Sequence, residues 1–597
     1  MVIEDFQALF WRALKAHRDG DLTAAAAGYR DVLAADPGHV DASHYLGMVA
    51  YQQGETGRAL DLVAAAARAR PEDSAILANL GLLLVGVGQS VEASRALERS
   101  LKIRPAQPDA LLNLALARSA LGEHDGAADC YRRVLELVPG HVAARLSLAQ
   151  IMLNARLPSA ARSVLEAGLA LDPADPDMRL ALGQSLELED ELAGAAECYR
   201  QVADTHPDHR SQALTRLSGA LRKQRRPGSA LMAARAAAWN SPADHATWRA
   251  VGQALKEMGW LHQAVDAFRR SHQLLRSPGG GDPALPTFAR TSRAKLRHDI
   301  QQIEYLYAQG LADRTLHSVA KTLRLIEQGM PEGLPDGQTV TLPSPVRRRL
   351  RDVYNRCLHY RETPRLEGAA VNPGLDTDRI ESDYGSRPPG LTWVDDFLTP
   401  DALASLRRFC LESTIWYDFE HRNGYVGAYL QDGFDCPLLL QIAEELPRAL
   451  PEIFRDHALM QLWAYKYDSR LDGIDMHADF AAVNVNFWIT PEEANRDPES
   501  GGMVIWDREA PPDWGVDEYN TYDPVQQRRI VEYLESEGAT RLVVPYRENR
   551  CVIFDSDLFH KTDDIRFGDR YEDRRINVTM LYGTRGGGRG RRQGRTA

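Results

Sequence analysis

At 597 residues the chain is too long to fold around one hydrophobic core, so two or three domains are expected. With 44% hydrophobic and 26% charged residues it has the composition of a globular protein, and a formal net charge of −12 argues against a general nucleic-acid binder. Its six cysteines include no CxxC pair, which suits reduced thiols in a cytoplasm better than a disulfide framework or a zinc knuckle. The first residues lack a basic segment followed by an apolar one, so no secretory signal is expected. Nor does any stretch reach the roughly 18 uncharged apolar residues of a membrane span.

The first half repeats itself. Prolines at Pro37, Pro71, Pro105, Pro139, Pro173 and Pro207 each follow the last by 34 residues, and Pro242 follows with a one-residue slip. Twelve residues before them stand Ala59, Ala93, Ala127, Ala161 and Ala195, and eight before stand Tyr29, Val63, Leu97, Tyr131, Leu165 and Tyr199. Small residues let paired helices approach, bulky ones fill the gap, and proline ends the second helix. The period is that of the tetratricopeptide repeat (TPR). About eight units, over residues 6–278, should stack into an all-α superhelical solenoid with a concave face. Such a surface suits a peptide or protein segment, and it could instead be structural or form a homodimer.

Gly279–Gly281 with Pro283 and Pro286 mark a boundary. Residues 279–389 are expected to be linker and bridging helices, with one long helix over about 290–328 and a short one over 347–358. After Pro389 the period changes. Leu391–Val394 reads as a strand, and Thr399-Pro400-Asp401 as a capped helix start running to about Leu411. Short apolar strands follow over 425–430, 460–467, 482–489, 503–506, 542–544, 551–554 and 576–581, as in an antiparallel sandwich or barrel. An insertion over 511–538, with a helix over 524–537, is either a lid or binding loop or a solvent-exposed decoration.

His477-Ala478-Asp479 lies in this β-rich part. A bare HxD is weak, since His17-Arg18-Asp19, His39-Val40-Asp41 and His206-Pro207-Asp208 fit it too. In an extended segment, however, residues two apart point to one side, so His477 and Asp479 can converge on one ion. His560, after Val552-Ile553-Phe554 and a turn, is either a third ligand or a satisfied core histidine. Two imidazoles and one carboxylate suit the open coordination of non-haem Fe(II), and no fourth ligand for a closed zinc site is evident. Arg575, entering the last strand, can pair bidentately with a carboxylate. Its neighbour Arg574 would then face outward, though it remains a rival.

The stretches Trp393–Pro400, Tyr467…His477-x-Asp479, Gly501–Trp506, Val552–His560 and Arg575-Ile576-Asn577 together resemble the 2-oxoglutarate- and Fe(II)-dependent dioxygenases of the prolyl-hydroxylase type. The resemblance covers about a third of the chain. It implies a double-stranded β-helix (jelly-roll) domain with flanking helices over 390–584, and a multidomain α plus β protein overall. It further implies that His477, Asp479 and His560 bind iron, that Arg575 holds the distal carboxylate of 2-oxoglutarate, and that Tyr467 contacts this cosubstrate. Asn486 stands where some relatives place a hydroxyl donor, and Asn577 belongs to the same cofactor-facing set. Ascorbate is a candidate co-reductant. Joined to TPR helices, such a domain implies O2-dependent hydroxylation of a protein or peptide side chain presented by the concave face. The rivals are oxidation of a small or carrier-bound molecule, with the repeats as docking module, and a non-catalytic scaffold. The tail 585–597, with Arg585, Arg589, Arg591, Arg592 and Arg595 among glycines, is expected to be flexible.

Overall fold

A computed structural model gives the fold and describes residues 6–387, 389–455, 457–468 and 473–584. The Arg/Gly-rich tail 585–597 lies outside the described residues. The chain divides into two compact units, Met1–Gln224 and Arg225–Ala597. Their boundary falls within the region expected to be repeats. Among the described helices, none is long and apolar enough to cross a membrane, and all six cysteines are free thiols.

The first unit is a run of antiparallel helix pairs, from Phe6–Arg18 with Leu22–Ala35 to Pro176–Leu188 with Leu192–Thr205, and closes on the helix Arg210–Lys223. Tyr29, Val63, Leu97, Tyr131, Leu165 and Tyr199 are all 2% exposed or less, as the repeat spacing requires. Each meets a small residue sixteen positions earlier. A Cβ added to Gly47 would stand 2.6 Å from Val63, and one at Gly81 or Gly183 would strike Leu97 or Tyr199. Here glycine sets how closely two helices approach. The turn after the first helix of each pair needs a left-handed residue, supplied by Gly20, Gly54, Gly88 and Gly122. Arg156 and Asp190 take the same position with φ of 59° and 61°.

In the second unit, helices Pro227–Asn240, His245–Glu257 and Leu261–Arg276 keep the repeat pattern, with Gly252 against Phe268. The last of them is fastened to the β-rich part by polar contacts that are buried or part-buried. Arg269 Nε donates to Asp435 Oδ2 at 3.0 Å, and Tyr360 donates to Asp435 Oδ1 at 2.8 Å. His272 Nε2 lies 3.1 Å from the Tyr417 hydroxyl, and burial pushes its pKa down to about 4. The long helix expected over 290–328 is instead two helices, Arg293–Ala308 and Arg314–Gln328. Gly310, with φ of 73°, ends the first, and the Asp313 side chain caps the second by accepting from Leu316 N at 2.7 Å. The two pack together through Leu296, Ile300, Ala320 and Leu323. The short helix is Ser344–Leu350, stopping well before residue 358.

Strand β1 (Arg290–Thr291) pairs with β2 (Val340–Thr341) as a small ladder. The main sheet contains β3 (Leu391–Val394), β4 (Val426–Tyr429), β5 (Leu459–Tyr467) and β6 (Val483–Trp488). The remaining strands are β7 (Met503–Glu509), β8 (Arg541–Val544), β9 (Cys551–Asp555), β10 (Leu558–Thr562) and β11 (Arg575–Tyr582). Six form one sheet in the order β3-β9-β6-β11-β5-β4, and three form another in the order β10-β7-β8. All these pairs are antiparallel. Tyr467, Trp488, Val552 and Phe554 of the larger sheet share one core with Met503, Ile505, Val544 and Leu558 of the smaller.

The helix expected after Thr399 runs over Pro400–Glu412, with Thr399 Oγ1 accepting from Ala402 N at 3.4 Å. Helix Pro437–Ala449 was not anticipated; it buries Leu438, Leu439, Ile442 and Leu446 and accepts a hydrogen bond from Tyr582. Strand β10 is a further difference: the sequence shows only a turn before His560, whereas His560 lies within this strand.

Candidate metal centre

The segment after β5 and the strand β10 meet edge to edge. His477 N donates to His560 O at 2.9 Å, and His560 N donates to His477 O at 2.8 Å. This two-residue bridge sets the imidazoles side by side, their centroids 4.3 Å apart. Asp479 N donates to Ser556 O at 2.9 Å, which keeps the HxD segment extended and brings its carboxylate to the same place. Oδ2 of Asp479 is 3.7 Å from His560 Nε2. One donor atom from each of His477, Asp479 and His560 lies within 4.8 Å of the others, the one such metal-capable group among the described residues.

The second layer fixes the tautomers. His477 Nδ1 lies 2.8 Å from Asp475 O, and His560 Nδ1 lies 2.9 Å from Leu558 O. A carbonyl only accepts, so both Nδ1 atoms carry the proton and both Nε2 lone pairs are available to an ion. Asp479 accepts from Asn484 Nδ2 at 2.7 Å and from Asn520 Nδ2 at 3.2 Å. Burial holds the His560 imidazole neutral, well below its ordinary range, and raises the Asp479 carboxyl. A cation among these groups would relieve the cost of a buried carboxylate, so the donor set fits a divalent metal. The three HxD decoys have ordinary work: His39 Nδ1, for instance, caps a helix by accepting from Ala42 N at 3.2 Å.

The same cavity, about 100 Å³, is lined by the other expected residues: Tyr467, Asn486, Arg575 and Asn577. Alternation along β11 explains this. Arg575, Asn577 and Thr579 face the cavity, while Ile576, Val578 and Met580 are buried on the other side. Arg575 is 1% exposed; its Nε donates to Gly501 O at 2.6 Å and its Nη2 to Gly502 O at 3.2 Å. Its Nη1 is buried with no partner. A buried, half-satisfied guanidinium is costly, and a carboxylate is the group that would complete it. Tyr467 lies opposite Arg575 in the β5–β11 register, its ring 5.1 Å from the guanidinium carbon, and burial pushes its phenol up to about 12. Arg574 points elsewhere, to Asp468 Oδ2 at 3.0 Å and Gln301 Oε1 at 2.8 Å.

Asn486 is part of a polar chain on the sheet. It accepts from Asn577 Nδ2 and from Thr579 Oγ1, both at 2.8 Å, and donates to Asn484, which donates in turn to Asp479. Asn484, Thr579 and Asn520 were not foreseen as site residues. Polar side chains at alternate positions of strands otherwise apolar were the available signal for the first two. Asn520 comes from the 511–538 insertion, which the structure makes a wall of the site. Its Tyr519, Ile530 and Leu534 pack on Ala478 and Phe559, the neighbours of two metal-capable residues.

Residues 16–82 and 120–185 match one tetratricopeptide-repeat family model, and residues 78–142 match a second. Residues 16–185 are tetratricopeptide repeats. No curated protein matches the chain. Among solved structures, MamA is 23% identical, with 28% of this chain and 90% of that one covered and a TM-score of 0.26. A tetratricopeptide repeat protein from Parabacteroides merdae is 16% identical over 42% of this chain and 98% of its own, with a TM-score of 0.31. YrrB, described as a TPR protein with an unusual peptide-binding site, is 18% identical over 31% and 95%, with a TM-score of 0.28.

Proposed function

We propose that residues 390–584 form a double-stranded β-helix (jelly roll) and that the protein is an Fe(II)- and 2-oxoglutarate-dependent dioxygenase acting on a protein or peptide side chain. One observation carries this reading: His477, Asp479 and His560 converge in the cavity that also holds the unpartnered Nη1 of Arg575. His477 and His560 would offer Nε2, and Asp479 one carboxylate oxygen, leaving open positions as in the two-histidine, one-carboxylate iron sites. Arg575 would orient 2-oxoglutarate through its distal carboxylate, with Tyr467 against the same group. When bound, iron supplies O2 activation, so that substrate C–H, O2 and 2-oxoglutarate give C–OH, succinate and CO2. The Asn577–Asn486–Asn484 chain holds Asp479 in place, and the buried walls keep bulk water out.

The TPR units support a peptide or protein partner, since repeat surfaces of this kind commonly bind such segments. They equally favour a second reading, an interaction scaffold without catalysis. Succinate formation from 2-oxoglutarate decides between them. The oxygenase reading predicts formation that requires Fe(II) and is lost in His477→Ala. A wild-type chain that neither binds Fe(II) nor forms succinate with any peptide offered would leave the scaffold.

A further inference from the structure

The cavity has a second end that the metal and cosubstrate do not use. Along β5, Trp463, Tyr465 and Tyr467 alternate onto the cavity face, opposite Thr579, Asn577 and Arg575 of β11. Tyr467 serves Arg575, whereas Trp463 and Tyr465 are half-buried, with ring centroids 6.1 Å apart. Tyr425 stands edge-on to Tyr465 at 4.8 Å and hydrogen-bonds Tyr522 of the insertion, hydroxyl to hydroxyl at 2.5 Å. Among the described residues, no lysine or arginine covers the rings of Trp463 or Tyr465; Arg575 lies over Tyr467 and Trp488, and the face of buried Tyr425 is stacked by His421 at 4.0 Å.

A carboxylate faces the same space. Asp475 lines the cavity, and its backbone carbonyl is engaged by His477. No group among the described residues pairs with its side chain. Nearby Asp418, by contrast, is taken up by His421 Nε2 at 2.7 Å. Aromatic faces carry negative potential, and with a free carboxylate beside them they select for positive charge. Resting on the oxygenase reading, we propose that the Trp463 and Tyr465 rings and Asp475, with Tyr425 backing Tyr465, form a cage for the cationic head of a lysine or arginine side chain of the substrate. The aliphatic stem of that side chain would then run along the cavity toward His477, Asp479 and His560. A neutral side chain such as proline would leave Asp475 unpaired.

Isothermal titration of the full chain tests this with four probes: Nα-acetyl-lysine amide, Nα-acetyl-arginine amide, Nα-acetyl-norleucine amide, which keeps the alkyl stem without the charged head, and choline. At least one of the first two should bind about tenfold or more tighter than the norleucine probe, and that preference should fall in Asp475→Asn and in Trp463→Leu. Equal binding of the norleucine probe, or a preference that survives both substitutions, overturns the cage. Choline binding as tightly as the amino-acid probes would assign the rings to a quaternary ammonium and overturn the side-chain assignment. Run first on metal-free protein, the comparison stands on its own. A separate Mn(II) titration judges the metal reading.

Discussion

Each residue at the centre is assigned by what its neighbours leave free. His477 and His560 give their Nδ1 protons to carbonyls, and Arg575 keeps one amino group without a partner inside the cavity. Arg575→Met should therefore abolish 2-oxoglutarate binding to the Mn(II)-loaded protein while sparing Mn(II) itself, whereas Arg574→Met should leave 2-oxoglutarate affinity within about threefold, as isothermal titration would show. Asn520 and Asn484 hold the Asp479 carboxylate, so Asn520→Ala should weaken Mn(II) binding roughly 10- to 100-fold, the usual effect of losing an outer partner of a ligand. That His477, Asp479 and His560 come together was legible from residue type, strand context and order along the chain. Asn520 was not: it comes 41 positions after Asp479 on an insertion whose path only the fold reveals. The choice between Arg574 and Arg575 needed strand phase, which adjacent arginines do not disclose.

At the level of elements, repeat periodicity predicted the helices well because every unit solves one packing problem with the same residue types. The exceptions are instructive. Arg156, and Arg225 in the second unit, hold left-handed turns with φ of 59° and 57° where other units have glycine. Substituting glycine relieves a Cβ clash and costs some unfolded-chain entropy, so Arg156→Gly should raise stability by roughly 0.5–1 kcal/mol in urea denaturation. The linker shows the opposite failure. Its apolar spacing passes through residues 309–313 almost without a break, so periodicity predicts one helix where Gly310 and the Asp313 cap make two. The last repeat helix carries a pH-dependent element in His272. Its folded pKa, about 4, lies below the ordinary 6.5, so the fold prefers the neutral ring. The unfolded chain binds more protons across that window, and the stabilisation present above pH 6.5 is lost as pH falls toward 4, by up to about 3 kcal/mol. His272→Gln should flatten this part of the pH–stability curve in chemical denaturation.

For the whole molecule, the division at Gln224 and Arg225 matters more than the sequence boundary at Gly279–Gly281. A glycine run marks where the chain bends, but contacts such as Arg269 to Asp435 tie the final repeat helices to the β-rich part. That tie joins residues 166 positions apart, and no local pattern announces it. All residues of the candidate centre lie in Arg225–Ala597. A chain beginning at Arg225 should keep Mn(II) affinity within about twofold. If the earlier repeats bind the substrate, the same truncation should raise the KM for a peptide substrate while changing kcat little, and unchanged kinetics would remove them from substrate binding. The most direct test of the central claim is a paired titration of Mn(II) and 2-oxoglutarate into wild-type protein and the His477→Ala, Asp479→Ala double variant. One Mn(II) per wild-type chain is expected, with 2-oxoglutarate binding only when Mn(II) is present and neither ligand bound by the variant. Equal Mn(II) binding by both proteins, or none by the wild type, would contradict the metal centre.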